Sequence, residues 1–518
     1  MTNKNPSQQQ LPLYGRTVFK EGVPKTSIPE NPMEPDTAYQ MIKDELALDG
    51  TPALNFATFV NTWVNDWAKR LATENLGKNF IDHEEYPQSN LVEKRIIWML
   101  GKLYGTQFNE HDTDPDTATG YYGSATIGSS EAVMLGLIAH RKNWQTNNKK
   151  NPNRSPLDKP FIILSTHTQA CWDKYCKYFD VGALYIEPEA KNNYGITGEQ
   201  VKKLLETPIG EYQPINKNDP TIQQVCEYPD NYPGLQTRTV GELVSAVGAV
   251  VGTTYAGRSD HVKEIDLVID KYCQEHAGLN VDIPLHVDAA SGGFILPFVN
   301  PQTNNPMPFN FTAGKRIQSI NVSNHKFGMT IPGMGSVIFR DANVVSPSLI
   351  YEISYLGGSF SDYTVNFSRG SAAIITQYHV LLHWGKAGYL AVINNMMENA
   401  KRLIKNIEES TTLNPLFTPI SDNEHYPICV FKWQSGDKSW TLTEFTEGLR
   451  QYNWIVPNYK LPTNNPEQPD GEEVFRVVVR QVVTADQIDA LTHDMEEVIQ
   501  ELEQKKPKTS RIHPPGRV

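Results

Sequence analysis

Nowhere in its 518 residues does the chain carry a run of about 18 apolar residues, so no helical membrane span is expected. The first residues, MTNKNPSQQQLP, lack the apolar core of a secretory signal, and a soluble chain in the cytoplasm is the default reading. Cysteine is scarce. Cys171, Cys176, Cys226, Cys273 and Cys429 form an odd set without paired spacing, which argues against a disulfide framework and fits a reducing compartment. None of them has metal-ligand spacing, and no metal is expected. A surplus of basic charge is also missing: the net charge of −12 argues against nucleic acid as a partner, because phosphate backbones are gripped by surplus Lys and Arg. No internal repeat is apparent. What remains is a globular chain, 39% hydrophobic and 10% aromatic, long enough for two or three domains.

Up to about residue 55 the sequence is rich in Pro, Asn and Gln and reads as an extended arm with a short helix at TAYQMIKDELAL. Such an arm suits packing on a neighbouring subunit. Over 56–385, short Val/Ile-rich segments (FIILS, VGAVV, PLHVD, SINVS, GSVIF) alternate with helical ones such as ACWDKYCKYF, the pattern of an α/β domain with a mostly parallel sheet. Within it, residues 207–238 are polar and rich in Pro and Asn, and read as a surface insertion. Residues 386–503 read as a small α+β domain with strands at ICVFKW and VFRVVVRQ. Its last helix carries Ile488, Leu491, Met495, Val498 and Leu502 at helical spacing, behind a capping box of Thr484 and Gln487. The end, 504–518, is a basic tail.

Two signatures carry chemistry. Asp288 ends an apolar strand in PLHVDAASGGF, and Lys326 follows another in SINVSNHKFG, 38 positions later. That interval accommodates a crossover that brings the two together. The pair suits pyridoxal phosphate, which needs an amine to hold its aldehyde as a Schiff base and a carboxylate to keep its ring nitrogen protonated. TIGSSEAVML adds Ser129 and Ser130 at a helix start, where free backbone amides and hydroxyls hold phosphate; an ordinary N-cap is the simpler use of the same residues. Ser323 and His325 flank the lysine and offer further donors. Gln169 sits between a strand and a helix, where ligands of α/β sheets bind, although a polar cap explains it equally well.

GYYGSATIGSSEAVMLG, HVDAASGGF, SNHKFG and SDYTVNFSRG, in this order, resemble glutamate decarboxylase, a group II pyridoxal phosphate-dependent decarboxylase. ATF followed by TW, and KNFIDHEEYPQS, strengthen the resemblance to that branch over the aromatic amino acid one. The resemblance implies a fold-type I architecture: a mostly parallel seven-stranded sheet with helices on both faces, an N-terminal arm and a small C-terminal domain. It implies decarboxylation of L-glutamate to 4-aminobutyrate with one proton consumed, and a role in acid resistance or 4-aminobutyrate supply. A homodimer would be the minimal active unit, with a hexamer as a larger assembly.

By the same resemblance, Lys326 is the Schiff-base lysine, Asp288 the partner of the ring nitrogen, and Gln169 the residue against the ring face. Ser129, Ser130, Ser323 and His325 would hold the phosphate, Thr254 would lie near a cofactor oxygen, and Ser368 would reach the phosphate from the second subunit. Thr58, Phe59, Asn79 and Asp82 would surround the distal carboxylate of the substrate, and Arg476 would hold the α-carboxylate. Spacing alone does not rank Arg476 over Arg480 on the same strand. Lys326 or Tyr355 would return a proton to Cα. Asp82 beside a substrate carboxylate requires that one of the two be protonated, which predicts a preference for acidic pH.

Four features depart from the family pattern. Val60 follows Thr-Phe where Cys is frequent, Asn324 replaces a Gly before His-Lys, 207–238 has no counterpart, and the tail lacks a terminal His. The tail reads first as a solvated, frayed end, with a pH-dependent plug through His513 as the sharper alternative. The alternatives are a decarboxylase of aspartate or cysteine sulfinate, or a non-catalytic homologue.

Overall fold

The computed structural model describes residues 24–215, 218–299, 308–354, 360–436, 438–463 and 471–504. Tyr355, His513 and the basic tail lie outside the described residues. The chain divides into two compact units, Met1–Leu54 and Asn55–Val518. The first holds the helix Pro35–Leu46 and the single turn Pro52–Leu54. Pro35 opens the helix where its missing N–H has no intrahelical partner to lose.

The second unit is built on a seven-stranded sheet of β1 (Gly123–Thr126), β2 (Phe161–Ser165), β3 (Gly182–Ile186), β4 (Val244–Val250), β5 (Leu285–Asp288), β6 (Ile317–Val322) and β7 (Gly335–Phe339), in the order β1-β7-β6-β5-β4-β2-β3. Only β7 runs against the rest. All seven residues of β4 are buried, as are all of β2 and β5, which is why these strands read as near-continuous apolar runs. The helix Ser129–Asn148 covers the sheet: Val133 and Leu137 pack with Ile162, Leu164 and Ala246, while Ala132, Leu135 and Ala139 pack with Val337 and Phe339.

A hairpin of β8 (Tyr351–Ile353) and β9 (Phe360–Asp362) precedes the long helix Ala372–Glu409. That helix breaks at Gly385, whose φ of 55° and ψ of −172° suit a residue without Cβ. Beyond the break lies an antiparallel sheet of β10 (Phe417–Pro419), β11 (Ile428–Trp433), β12 (Asn458–Lys460) and β13 (Glu473–Val478), ordered β10-β11-β13-β12. The helix Ala485–Gln504 buries Ile488, Leu491, Met495, Val498 and Leu502, the set its periodicity marks. Thr484 and Gln487 form the reciprocal cap: each accepts from the other's backbone amide, at 2.9 and 3.2 Å.

Residues 207–238 are more closely packed than their polar composition suggests. Ile209, Ile222, Cys226, Tyr228 and Leu235 are buried, and Tyr228 stacks on Tyr232 at 4.3 Å. Arg238 supplies the reason. Its guanidinium grips Asp158 at 2.8 and 3.1 Å and reaches Glu242 at 3.3 Å, with all three side chains at most 3% exposed. The polar residues there serve an internal ion cluster as well as the surface.

Candidate active site

The parallel strands deliver their carboxyl ends to one edge, the place where open α/β sheets bind ligands. A cavity of about 550 Å³ lies there, within the size range of small-molecule sites. Asp288 is the last residue of β5, and Lys326 follows β6 by one turn; both line the cavity. Desolvation in the cavity lowers the Lys326 amine below its ordinary value, and Arg476 lowers it further, while Asp288 and Cys171 pull it up. A neutral amine is the form that attacks an aldehyde.

Ser129, Ser130, Ser323 and His325 line the same cavity. The helix Ser129–Asn148 starts behind Gly128 with no side-chain cap, so its first amides remain for a ligand. Glu131 steadies this end: one carboxylate oxygen accepts from the Ile127 amide at 2.9 Å, the other from the Val365 and Asn366 amides at 3.0 and 3.2 Å. Gly335 on β7 allows the close approach, because a Cβ there would stand 2.4 Å from the Gly128 carbonyl carbon and 2.6 Å from the Ser129 nitrogen. His325 Nδ1 accepts from the Met334 amide at 3.1 Å, leaving Nε2 as its N–H. Burial beside Lys326 lowers its pKa to about 4, so it is a neutral donor.

Ser323 is fully buried, and its hydroxyl has no partner among the described residues. Buried hydroxyls are ordinarily hydrogen-bonded. An orphan at this point, facing a helix N-terminus with free amides, fits a phosphate held between them. The residues present therefore match pyridoxal phosphate: an amine, a carboxylate at the other end, and a phosphate cradle between two loops.

Gln169 and Thr254 complete the lining. Gln169 is exposed and its Oε1 accepts from the Cys171 amide at 2.7 Å, so it caps the helix Cys171–Tyr178 while facing the cavity. The Thr254 carbonyl accepts from Arg476 at 2.7 Å. Asn324 is buried without positive φ, and its Oδ1 accepts from Ser336 at 2.9 Å; the side chain is used, and no glycine-only geometry is needed.

Residues assigned to the substrate fall into two groups. In the first, the Arg476 guanidinium lies 4.5 Å from the Phe59 ring and the Lys326 Nζ 5.2 Å from it, with Thr58 adjacent in sequence. Arg476 is 7% exposed and has no carboxylate within ion-pair distance among the described residues; its terminal nitrogens donate to the Thr254 and Ala57 carbonyls. Arg480 instead reaches Thr62 and the Asn55 carbonyl, so geometry favours Arg476 as the residue beside the lysine. In the second group, Asn79 donates to Ser368 at 3.4 Å and accepts from the Arg369 amide at 3.1 Å, with the Asp82 amide bonded to the Asn79 carbonyl. None of Asn79, Asp82 and Ser368 lines the cavity of its own chain, although their neighbours Val365 and Asn366 do.

Sequence reasoning missed the support around Asp288. Trp172 Nε1 donates to its Oδ2 at 3.0 Å, and Asn321 Nδ2 to its Oδ1 at 2.8 Å. The signal was present as alternation: His286 and Asp288, and Ser319, Asn321 and Ser323, are polar residues at every second position of two buried strands.

The family described as pyridoxal-dependent decarboxylase conserved domain matches residues 29–215 and 235–434. Glutamate decarboxylase 2 of Arabidopsis thaliana is 33% identical over 501 residues, covering 96% of this chain and 88% of its own. Glutamate decarboxylase of Lactococcus lactis subsp. lactis is 30% identical over 502 residues, covering 96% and 94%. Among solved structures, that of Lactobacillus brevis glutamate decarboxylase superposes with a TM-score of 0.78 at 27% identity, over 96% of this chain and 99% of the other. An Oryza sativa TDC with PLP and tryptamine shares the fold, with a TM-score of 0.70 at 16% identity over 92% of this chain and 90% of that one. With Lys326, Asp288 and the helix start at Ser129 lining one cavity at the sheet's carboxyl edge, the chain belongs to the pyridoxal-dependent decarboxylase family.

Proposed function

We propose that this protein decarboxylates L-glutamate to 4-aminobutyrate and carbon dioxide, consuming one proton. The observation that supports an amino acid substrate is Arg476. A buried cation without a carboxylate partner is costly, and its position by Phe59 and Lys326 leaves it to be completed by a substrate carboxylate. The glutamate decarboxylases at 30–33% identity over nearly the whole chain support glutamate as that substrate.

When bound, pyridoxal phosphate supplies an electron sink that stabilises charge at the substrate Cα. The chain's own residues do the rest. Lys326 Nζ would hold the cofactor's aldehyde. Asp288 would keep the ring nitrogen protonated, with Gln169 as the residue for the ring face. Ser129, Ser130, Ser323 and His325 would hold the phosphate through neutral donors, and Thr254 would serve a cofactor oxygen. Arg476 would grip the α-carboxylate and so set the orientation of the bond to be broken. Lys326 or Tyr355 returns a proton to Cα.

Thr58 and Phe59 form one wall for the distal carboxylate; Asn79 and Asp82 form the other. Asn79 and Ser368 are hydrogen-bonded to each other beside Asp82, and their use by the site of a second copy in a homodimer is part of this reading. Asp82 beside the substrate's distal carboxylate would set two acidic groups side by side, so a preference for acidic pH is expected. Parallel turnover of glutamate, aspartate and cysteine sulfinate tests the reading: 4-aminobutyrate from glutamate is expected at a rate at least tenfold above product from either other acid. A preference for aspartate or cysteine sulfinate would overturn it.

A further inference from the structure

Behind Asp288, away from the cavity, the core contains a line of buried polar groups that the chemistry above does not use. His140 Nε2 lies 2.6 Å from Ser319 Oγ, Ser319 Oγ lies 2.6 Å from His286 Nδ1, and His286 Nε2 lies 2.7 Å from Asn321 Oδ1. Asn321 Nδ2 then donates to Asp288 at 2.8 Å. Ser319, His286 and Asn321 are fully buried, and His140 is 1% exposed.

The donors can be assigned from the Asp288 end. A carboxylate only accepts, so Asn321 turns its NH₂ towards Asp288 and its oxygen towards His286. His286 Nε2 must therefore carry the proton. In a neutral ring Nδ1 then accepts, from the Ser319 hydroxyl, and Ser319 in turn accepts from His140 Nε2–H. Burial lowers the His286 pKa to about 4 and holds His140 well below its ordinary value, so both rings are neutral. Every hydrogen bond points the same way, and such chains strengthen their terminal donor.

The fold makes room for the line. His286 and Asp288 alternate on β5, facing Ser319 and Asn321 as their register partners on β6. Gly136, one turn before His140 on the helix Ser129–Asn148, is where a Cβ would stand 2.6 Å from His286 Nδ1 and 3.2 Å from Ser319 Oγ. Trp172, which donates to the other Asp288 oxygen, packs edge-on against His286 at 5.5 Å.

We infer that His140, Ser319, His286 and Asn321 are positioning residues, a one-way hydrogen-bond relay that holds Asp288 aimed at the cofactor's ring nitrogen. The inference rests on Asp288 being the partner of that nitrogen. Neutral imidazoles add donors without adding a competing cation, so the carboxylate's charge is left for the protonated ring. The same helix offers its N-terminus to the phosphate and His140 to the relay, fixing both ends of the cofactor from one element.

The test compares the affinity of the cofactor-free chain for pyridoxal phosphate and for its 1-deaza analogue, which has C–H in place of the ring nitrogen, by fluorescence titration. Wild type should prefer pyridoxal phosphate. Ser319→Ala should narrow that preference about fivefold, the size of one buried hydrogen bond, while leaving affinity for the deaza analogue within about twofold. His140→Leu should narrow it about twofold to threefold, and His140→Gln, which keeps an N–H at that position, should restore it. If Ser319→Ala does not fold, the His140 pair decides alone. Equal weakening of both ligands, or an unchanged preference in Ser319→Ala and His140→Leu, overturns the relay. A wild type that binds both ligands equally overturns instead the pairing of Asp288 with the ring nitrogen.

Discussion

Replacing His140 by Gln should change how the protein responds to acid by a calculable amount. His140 is 1% exposed, and burial together with His286 keeps its ring neutral far below the ordinary histidine range. In the unfolded chain the same imidazole titrates near 6.5 and is almost fully protonated at about pH 5. Because the folded pKa of this base is depressed, the unfolded chain binds more protons below about 6.5, and stability is lost as pH falls. Over the interval from about pH 7.5 to about pH 5 the loss is about 2 kcal/mol for this one group. Glutamine is neutral in both states and removes the effect. Unfolding of wild type at about pH 5 should therefore take up about one proton more than unfolding of His140→Gln, a difference read directly by potentiometry in urea. At about pH 7.5 the two should be equal. Equal uptake at the acidic pH would show that His140 is already charged in the fold, and would refute the neutral chain deduced from its burial.

Three further outcomes follow from the packing. Gly335→Ala places a methyl within 2.6 Å of the backbone that opens the phosphate cradle, so cofactor affinity should fall at least about tenfold and stability by about 1–3 kcal/mol, measured by titration and denaturation. Arg476→Lys keeps the charge and loses the planar fork; kcat/KM for glutamate should fall about 100-fold with cofactor affinity within about twofold. Arg238→Ala leaves Asp158 and Glu242 buried without their cation, and should cost about 3–5 kcal/mol by calorimetry while turnover per folded molecule is retained.

Five of the seven strands were legible because they are buried and read as short Val/Ile-rich runs, whereas β1 (GSAT) and the partly exposed β3 (GALYI) were not read as strands; Asp288 ends one of the five and Lys326 follows another. The final helix was legible down to its cap, since Thr484 and Gln487 act locally. What sequence spacing hid depends on contacts between distant segments. Trp172 and Asn321 look like ordinary aromatic and polar residues until the sheet sets them 3.0 and 2.8 Å from Asp288, 116 and 33 positions away in sequence. The ion cluster of Arg238 with Asp158, 80 positions apart, likewise made residues 207–238 look more superficial than they are. The choice between Arg476 and Arg480 needed the position of Phe59, which no strand pattern supplies.

Under the proposed function, Lys326 carries glutamate decarboxylation in this cavity. Release of labelled carbon dioxide from L-glutamate carrying the label in its α-carboxylate, followed in pyridoxal phosphate-saturated wild type and Lys326→Ala, tests it most directly. Wild type should release label with one 4-aminobutyrate formed per carbon dioxide, and the variant should lose at least about 1,000-fold in kcat, the scale set by losing both a covalent anchor and a proton donor. Undiminished release from Lys326→Ala, or no release from saturated wild type, would contradict the account.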